Sequence, residues 1–145
     1  MLSWGMLGTG LVMGISTIGS GICLWIVGQA AIGVWKKAYA ANKSAPMIML
    51  VFAAMPLSQT FYGFILMNQM LTATFANPEK GMLYFGVGFA AGLSNLFTGI
   101  AQGKIAASAS DSQGETGKGF AQYIAVIGIA ESIALFAMVF SMLAL

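Results

Sequence analysis

Long apolar runs separated by three short polar breaks dominate the pattern of this chain. The runs cover about 4–34, 46–75, 81–109 and 119–145. Each exceeds the ~20 residues that a helix needs to cross a ~30 Å hydrocarbon core. The breaks are KKAYAANKSAP at 36–46, NPEKG at 77–81 and SASDSQGETGKG at 108–119, the last being the most polar stretch. Asn77-Pro78 reads as a turn. The pattern predicts four membrane-spanning helices folded as two hairpins, residues 1–75 and 76–145, with no sheet. The N-terminal run has no positively charged n-region, so it reads as a retained first span rather than a cleaved leader.

Lysine placement orients these helices. Lys36, Lys37, Lys43 and Lys118 fall at the first and third breaks, Lys104 lies just before the third on the same side, and Lys80 alone is at the second. By the positive-inside rule the first and third loops face the cytoplasm and both termini face out. Composition fits this picture: of 145 residues, 59% are hydrophobic and 7% charged, against about 25% charged in soluble domains. Little mass remains for an extramembrane domain. The net charge of +2 is too small, and the lysines too scattered, for nucleic-acid binding. Cys23, the single cysteine, lies in an apolar run and reads as a small core residue.

The two halves repeat. At an offset of 73, Gln29 falls on Gln102 and Gly19 on Gly92; at 72, Gln59 falls on Glu131, Thr60 on Ser132, Ala53 on Ala125 and Phe64 on Phe136. Two parallel hairpins result, with the first copy holding an amide where the second holds an acid. Helix one carries eight glycines between Gly5 and Gly33, and helix three carries Gly88-xxx-Gly92 and Gly99-xxx-Gly103. Helices two and four are rich in Phe, Met, Leu and Ile instead. Small residues every four positions let backbones approach closely. Two thin and two thick helices suit a ring of subunits with the thin ones inside; the plainer reading is packing within one subunit.

Glu131 is the residue these elements leave unexplained. It sits mid-span in GFAQYIAVIGIAESIALFAMVFSMLAL at 119–145, where an acid costs roughly 2.5–3.5 kcal/mol on insertion scales. The chain has no arginine and no histidine, and no lysine lies near mid-span. A proton, a metal ion or a partner's cation must neutralise it, which points to ion transport. Gln102 lies 29 residues earlier and, folded about a tip near 115–117, reaches the same depth, as Gln29 and Gln59 do about Ser44. At 1.5 Å per residue that depth is roughly 21 Å from the tips, so the hairpins protrude from the cytoplasmic face. In the second span Pro56 disrupts the helical ladder and loosens carbonyls before it, and Ser58, Gln59 and Tyr62 follow, within about a turn of one another. Glu131, Gln102, Gln59, Ser58 and a loosened carbonyl give oxygen donors around one negative charge, suited to a hard monovalent cation rather than calcium. Asn68, Gln69 and Asn95 read as packing or interface residues. No GxxxxGK[ST] sequence or Cys/His cluster occurs, so this chain has no catalytic site and any energy source lies in partner subunits.

Three segments carry a resemblance: PLSQTFYG at 56–63, LFTGIAQGK at 96–104 and GIAESIAL at 128–135. The chain resembles, over essentially its whole length, the duplicated four-helix proteolipid (c or K ring) subunit of V-type ATPases, and most closely the bacterial sodium-transporting branch. The resemblance implies a Na+ site made by Glu131, Gln102, Ser58 with Gln59, and the backbone carbonyl of Met55. It implies that Tyr62 hydrogen-bonds Glu131. Ser58 replaces the usual threonine and keeps the hydroxyl, while Leu57 stands where that branch often has glycine. It further implies a homo-oligomeric ring of about ten copies in a cell membrane, a stator subunit supplying an arginine, and central-stalk subunits at loops 36–46 and 108–119. The alternatives are a rotor carrying H+ in place of Na+ and a small proton-coupled exporter. Exporters of that kind place their glutamate on helix one, which here has no acid. A junction-type membrane protein would need large, disulfide-bearing outer loops, and the outer loop here is about five residues.

Overall fold

The computed structural model describes residues 3–145, and every described element is helical. Helix α1 runs Trp4–Ala40; the second span is α2 (Met49–Ala54), a 3₁₀ turn at Met55–Leu57 and α3 (Ser58–Ala76). A 3₁₀ turn at Pro78–Lys80 leads into α4 (Gly81–Thr116), and α5 spans Phe120–Leu143. These four helical segments are each long and apolar enough to cross a membrane. With 37 residues α1 is roughly 55 Å long, well past a ~30 Å core. Ser3 caps it, accepting the Met6 amide at 3.2 Å.

Helix α4 extends further than the polar segment at 108–119 suggests. Ser110 and Thr116 return their hydroxyls to the carbonyls of Ala106 and Ser112, at 2.9 and 2.8 Å, so the polar side chains are served by the helix itself. The chain turns only at Gly117 and Gly119, whose φ values of 65° and 92° favour glycine. At that end Lys37 pairs with Asp111 at 3.4 Å and Glu115 at 3.1 Å, both exposed. Nearby, the indole of Trp35 donates to Pro46 O at 3.0 Å and closes the first loop.

The helical core is the contact of α1 with α4. A Cβ on Gly88 would collide with the carbonyl of Gly8; one on Gly19 would lie 2.8 Å from Leu96 Cα, and one on Gly103 2.8 Å from Cys23 Cα. The small residues thus let these two backbones nearly touch along their length. A Cβ on Gly92 would lie 3.0 Å from Ile15 Cβ, which makes Gly92 an internal position. Gly10, Gly14, Gly21 and Gly28 behave differently: they lie on one side of α1, and a Cβ on any of them would meet no other part of this chain within 4 Å. Large apolar side chains, including Phe61, Phe97, Ile129, Phe136 and Phe140, are exposed along the outside.

Candidate functional site

The second span breaks where Pro56 removes an amide hydrogen. The chain winds as 3₁₀ over Met55–Leu57, and Met55 O then accepts both the amide of Ser58 and, at 3.1 Å, its hydroxyl. Pro56 itself is buried. Gln59 follows on the buried face of α3 and points toward α4.

Four side chains then join in one line across three helices. Gln59 Nε2 donates to Gln102 Oε1 at 2.6 Å. Gln102 Nε2 donates to Glu131 Oε2 at 3.4 Å, and Tyr62 OH donates to Glu131 Oε1 at 2.7 Å. Both glutamines are 0% exposed, whereas Glu131 is half-buried at the bundle's outer side. Gln59 Oε1 is buried with no donor. A bare amide oxygen in such a place costs about 1–3 kcal/mol, so a positive ligand beside it would be stabilised. Among the described residues Glu131 has no basic partner; Lys37 makes the ion pairs there are. No group of three or more His, Cys, Asp or Glu is present among them, so a site here rests on oxygens of amides, hydroxyls and carbonyls around one carboxylate.

Of the residues singled out from sequence, Gln59, Gln102, Tyr62 and Glu131 are thus directly connected. Met55 and Ser58 bond each other and adjoin that line only through the backbone, Ser58 preceding Gln59. Gln29 is a correction. It does not meet Gln59 as the repeat suggested: it is exposed, and Gln59 pairs instead with Gln102 of the other half. The buried side of α1 passes through Cys23, Val27, Ala31 and Val34, and Gln29 lies two residues past Val27, half a turn away.

A second polar cluster escaped the sequence reading. Ser20 Oγ accepts the amide of Thr60 at 3.1 Å and its hydroxyl at 2.8 Å. Asn95 Nδ2 donates to Ser16 Oγ at 2.8 Å, which gives Asn95 the packing role expected of it. Ser16 and Ser20, four apart in an apolar helix, were the available signal. Asn68 spends its amide on Phe64 O of its own helix at 3.0 Å.

The sequence itself has recognisable relatives among known proteins. The chain is 41% identical over 105 residues to the A-type ATP synthase subunit K of Methanocaldococcus jannaschii. That region is 72% of this chain, and the chain spans only 44% of the relative's length. The family model for the ATP synthase C subunit matches twice, over residues 7–70 and 85–144. The chain, a multi-pass helical membrane protein, belongs to the ATP synthase C-subunit family, whose members are ring-forming, non-catalytic hairpin proteolipids.

Proposed function

We propose that this chain is the ion-carrying rotor subunit of a V-type or A-type ATPase and that it carries one Na+ per subunit on Glu131. The observation behind this reading is the line Gln59–Gln102–Glu131–Tyr62, with a buried amide oxygen on Gln59 still without a donor. Na+ takes oxygen donors, and the ligands would be Glu131, the side-chain oxygens of Gln102, Gln59 and Ser58, and the Met55 carbonyl. Tyr62 would hold the carboxylate toward them. The two separate matches of the family model support treating residues 1–75 and 76–145 as two hairpin units. The first unit, with Gln59 in place of an acid, lends its oxygens to the second.

In this scheme about ten copies close into a ring. The open glycines of α1 face the neighbouring copy or the inner wall, and Glu131 lies near the outer surface within reach of a stator. An arginine of the stator would approach the carboxylate and displace Na+ electrostatically into a half-channel. The ends of α1 and α4, with the loops at 36–46 and 108–119, would present the cytoplasmic surface to a central stalk, and both termini would lie outside. One carboxylate per four helices carries few ions per turn for the ring's size. That gearing suits ATP-driven pumping against a steep gradient.

Carbodiimide labelling tests the reading, because the reagent attacks a protonated carboxyl in apolar surroundings. Glu79, Asp111 and Glu115 are exposed, so Glu131 should be the acid that reacts within the bilayer. Na+ at fixed pH should suppress the reaction by keeping the carboxylate ionised and coordinated. Labelling that follows pH and ignores Na+ would assign the ring to H+ instead.

A further inference from the structure

We propose that Ser20, on α1, is a positioning residue for the sodium site: through Thr60 it fixes the turn of α3 that carries Ser58 and Gln59. The proposal rests on the sodium reading above. Ser20 is buried, at 5% exposed, and its one oxygen receives two bonds from one residue, the amide of Thr60 at 3.1 Å and its hydroxyl at 2.8 Å. In a helix interior an amide normally serves its own chain. Thr60 is the third residue of α3, immediately after the 3₁₀ turn, where first-turn amides are left to outside partners. The 3₁₀ break at Pro56, which turns the Met55 carbonyl to Ser58, thus also leaves the start of α3 to be held from outside, and Ser20 supplies that hold.

The geometry around this contact leaves little slack. A Cβ on Gly63 would lie 2.6 Å from both Cβ and Oγ of Ser16, so α3 lies flush on α1 one turn beyond Thr60. Ser16 Oγ in turn accepts Asn95 Nδ2 at 2.8 Å from α4. Ser16 and Ser20, one helical turn apart, thus tie α1 to the two helices bearing Gln59 and Gln102. Thr60 and Gln59 are adjacent and point about 100° apart around α3. With Thr60 held on α1, Gln59 faces α4 at the rotation that brings its amide 2.6 Å from Gln102. Loss of the Ser20 hydroxyl removes both bonds at once and lets that rotation drift, moving two or three proposed oxygen ligands together.

The test measures, on detergent-purified rings, the Na+ concentration that half-protects Glu131 from carbodiimide. The variants are Ser20→Ala, which removes both bonds, and Thr60→Val, which removes the hydroxyl bond and keeps the amide one. Ser110→Ala serves as control, since that buried hydroxyl bonds only Ala106 O of its own helix. The expected result is a half-protecting concentration raised about five- to 30-fold in Ser20→Ala and less in Thr60→Val, with Ser110→Ala unchanged. The preference for Na+ over Li+ should change as well, because displaced ligands alter the cavity, and a purely structural serine would not affect it. Lower ring yield with unaltered half-protection in the rings that form would overturn the proposal. If Ser20→Ala forms no ring, Thr60→Val decides by the same criterion. Wild-type labelling that ignores Na+ would sink the sodium reading and this proposal together; protection equal in wild type and variants would sink only this one.

Discussion

Replacing each glutamine by alanine separates the two parts that Gln102 plays in the proposed shell. Gln59→Ala removes one amide oxygen and one neutral hydrogen bond, the 2.6 Å contact to Gln102, and leaves Glu131 with both of its donors. A net neutral bond contributes about 0.5–1.5 kcal/mol, which corresponds to a roughly 2- to 13-fold weaker Na+ site. Gln102→Ala removes the same neutral bond, a second amide oxygen and the donor to Glu131 at 3.4 Å. Bonds to a charged group contribute about 1.5–3 kcal/mol, and the length of this one argues for the lower part of that range. With the neutral bond lost as well, the total is about 2–3.5 kcal/mol and the expected loss roughly 30- to 400-fold, with Gln102→Ala the more severe. The assay is the Na+ concentration that half-protects Glu131 from carbodiimide, read on rings whose mass matches wild type. Unchanged affinity in both variants would show that the coordination shell is wrong, whatever the family. A larger loss for Gln59→Ala would show that Gln102 does not act on Glu131 as drawn.

Glu131→Gln should abolish ion transport by reconstituted complexes while leaving the ring assembled, because it deletes the charge and nearly conserves volume. Tyr62 and Gln102 both donate to the carboxylate, so the amide also faces one donor it cannot accept; transport above a tenth of wild type would refute the assignment. Gly14→Leu should lower the mass of the detergent-purified complex from many multiples of the 15.1 kDa subunit toward single copies, with helical circular dichroism retained, since a Cβ at Gly14 would meet no other part of its own chain within 4 Å. Gly92→Leu should instead damage the subunit itself, reducing helical content or yield, because its side chain would enter the contact with Ile15 and Leu11. Ile133→Leu, exposed on α5, should change neither readout.

Much of this molecule is legible in its sequence, because a bilayer reduces the choice of backbone. Four apolar runs could only be helices, and depth counted from the hairpin tips was enough to bring Gln102 and Glu131 together. Hydropathy reports the solvent around a side chain and is silent on the backbone. The polar residues from Ser108 onward therefore mark departure from the membrane, while the helix itself continues to Thr116. Glycine spacing announced close approach without saying to what. Gly92 turned out to face Ile15 inside the subunit and Gly14 to face open space, a difference set by which side of α1 meets α4. Ser20 was hidden for a similar reason. A serine in an apolar helix usually bonds its own backbone, and only the neighbouring break at Pro56 gives this one a partner on another helix.

The unequal fate of the two copies follows from the same rotation of helices. Gln29 and Gln102 occupy matching positions in sequence, yet Gln102 is buried beside Glu131 and Gln29 lies on the outside of α1. If each hairpin built its own site, Gln29 would pair with Gln59 as Gln102 pairs with Glu131. Gln59 instead crosses to Gln102, so the amide that stands in the acid's place in the first hairpin becomes part of the second hairpin's network. Tyr62, from the same turn of the first hairpin, reaches the carboxylate itself. The hydrogen bonds to Glu131 thus come from both halves, and neither hairpin alone could reproduce them. On the proposed reading, one charge for four helices is then a consequence of construction: the first copy's polar residues are already committed to the second copy's ion.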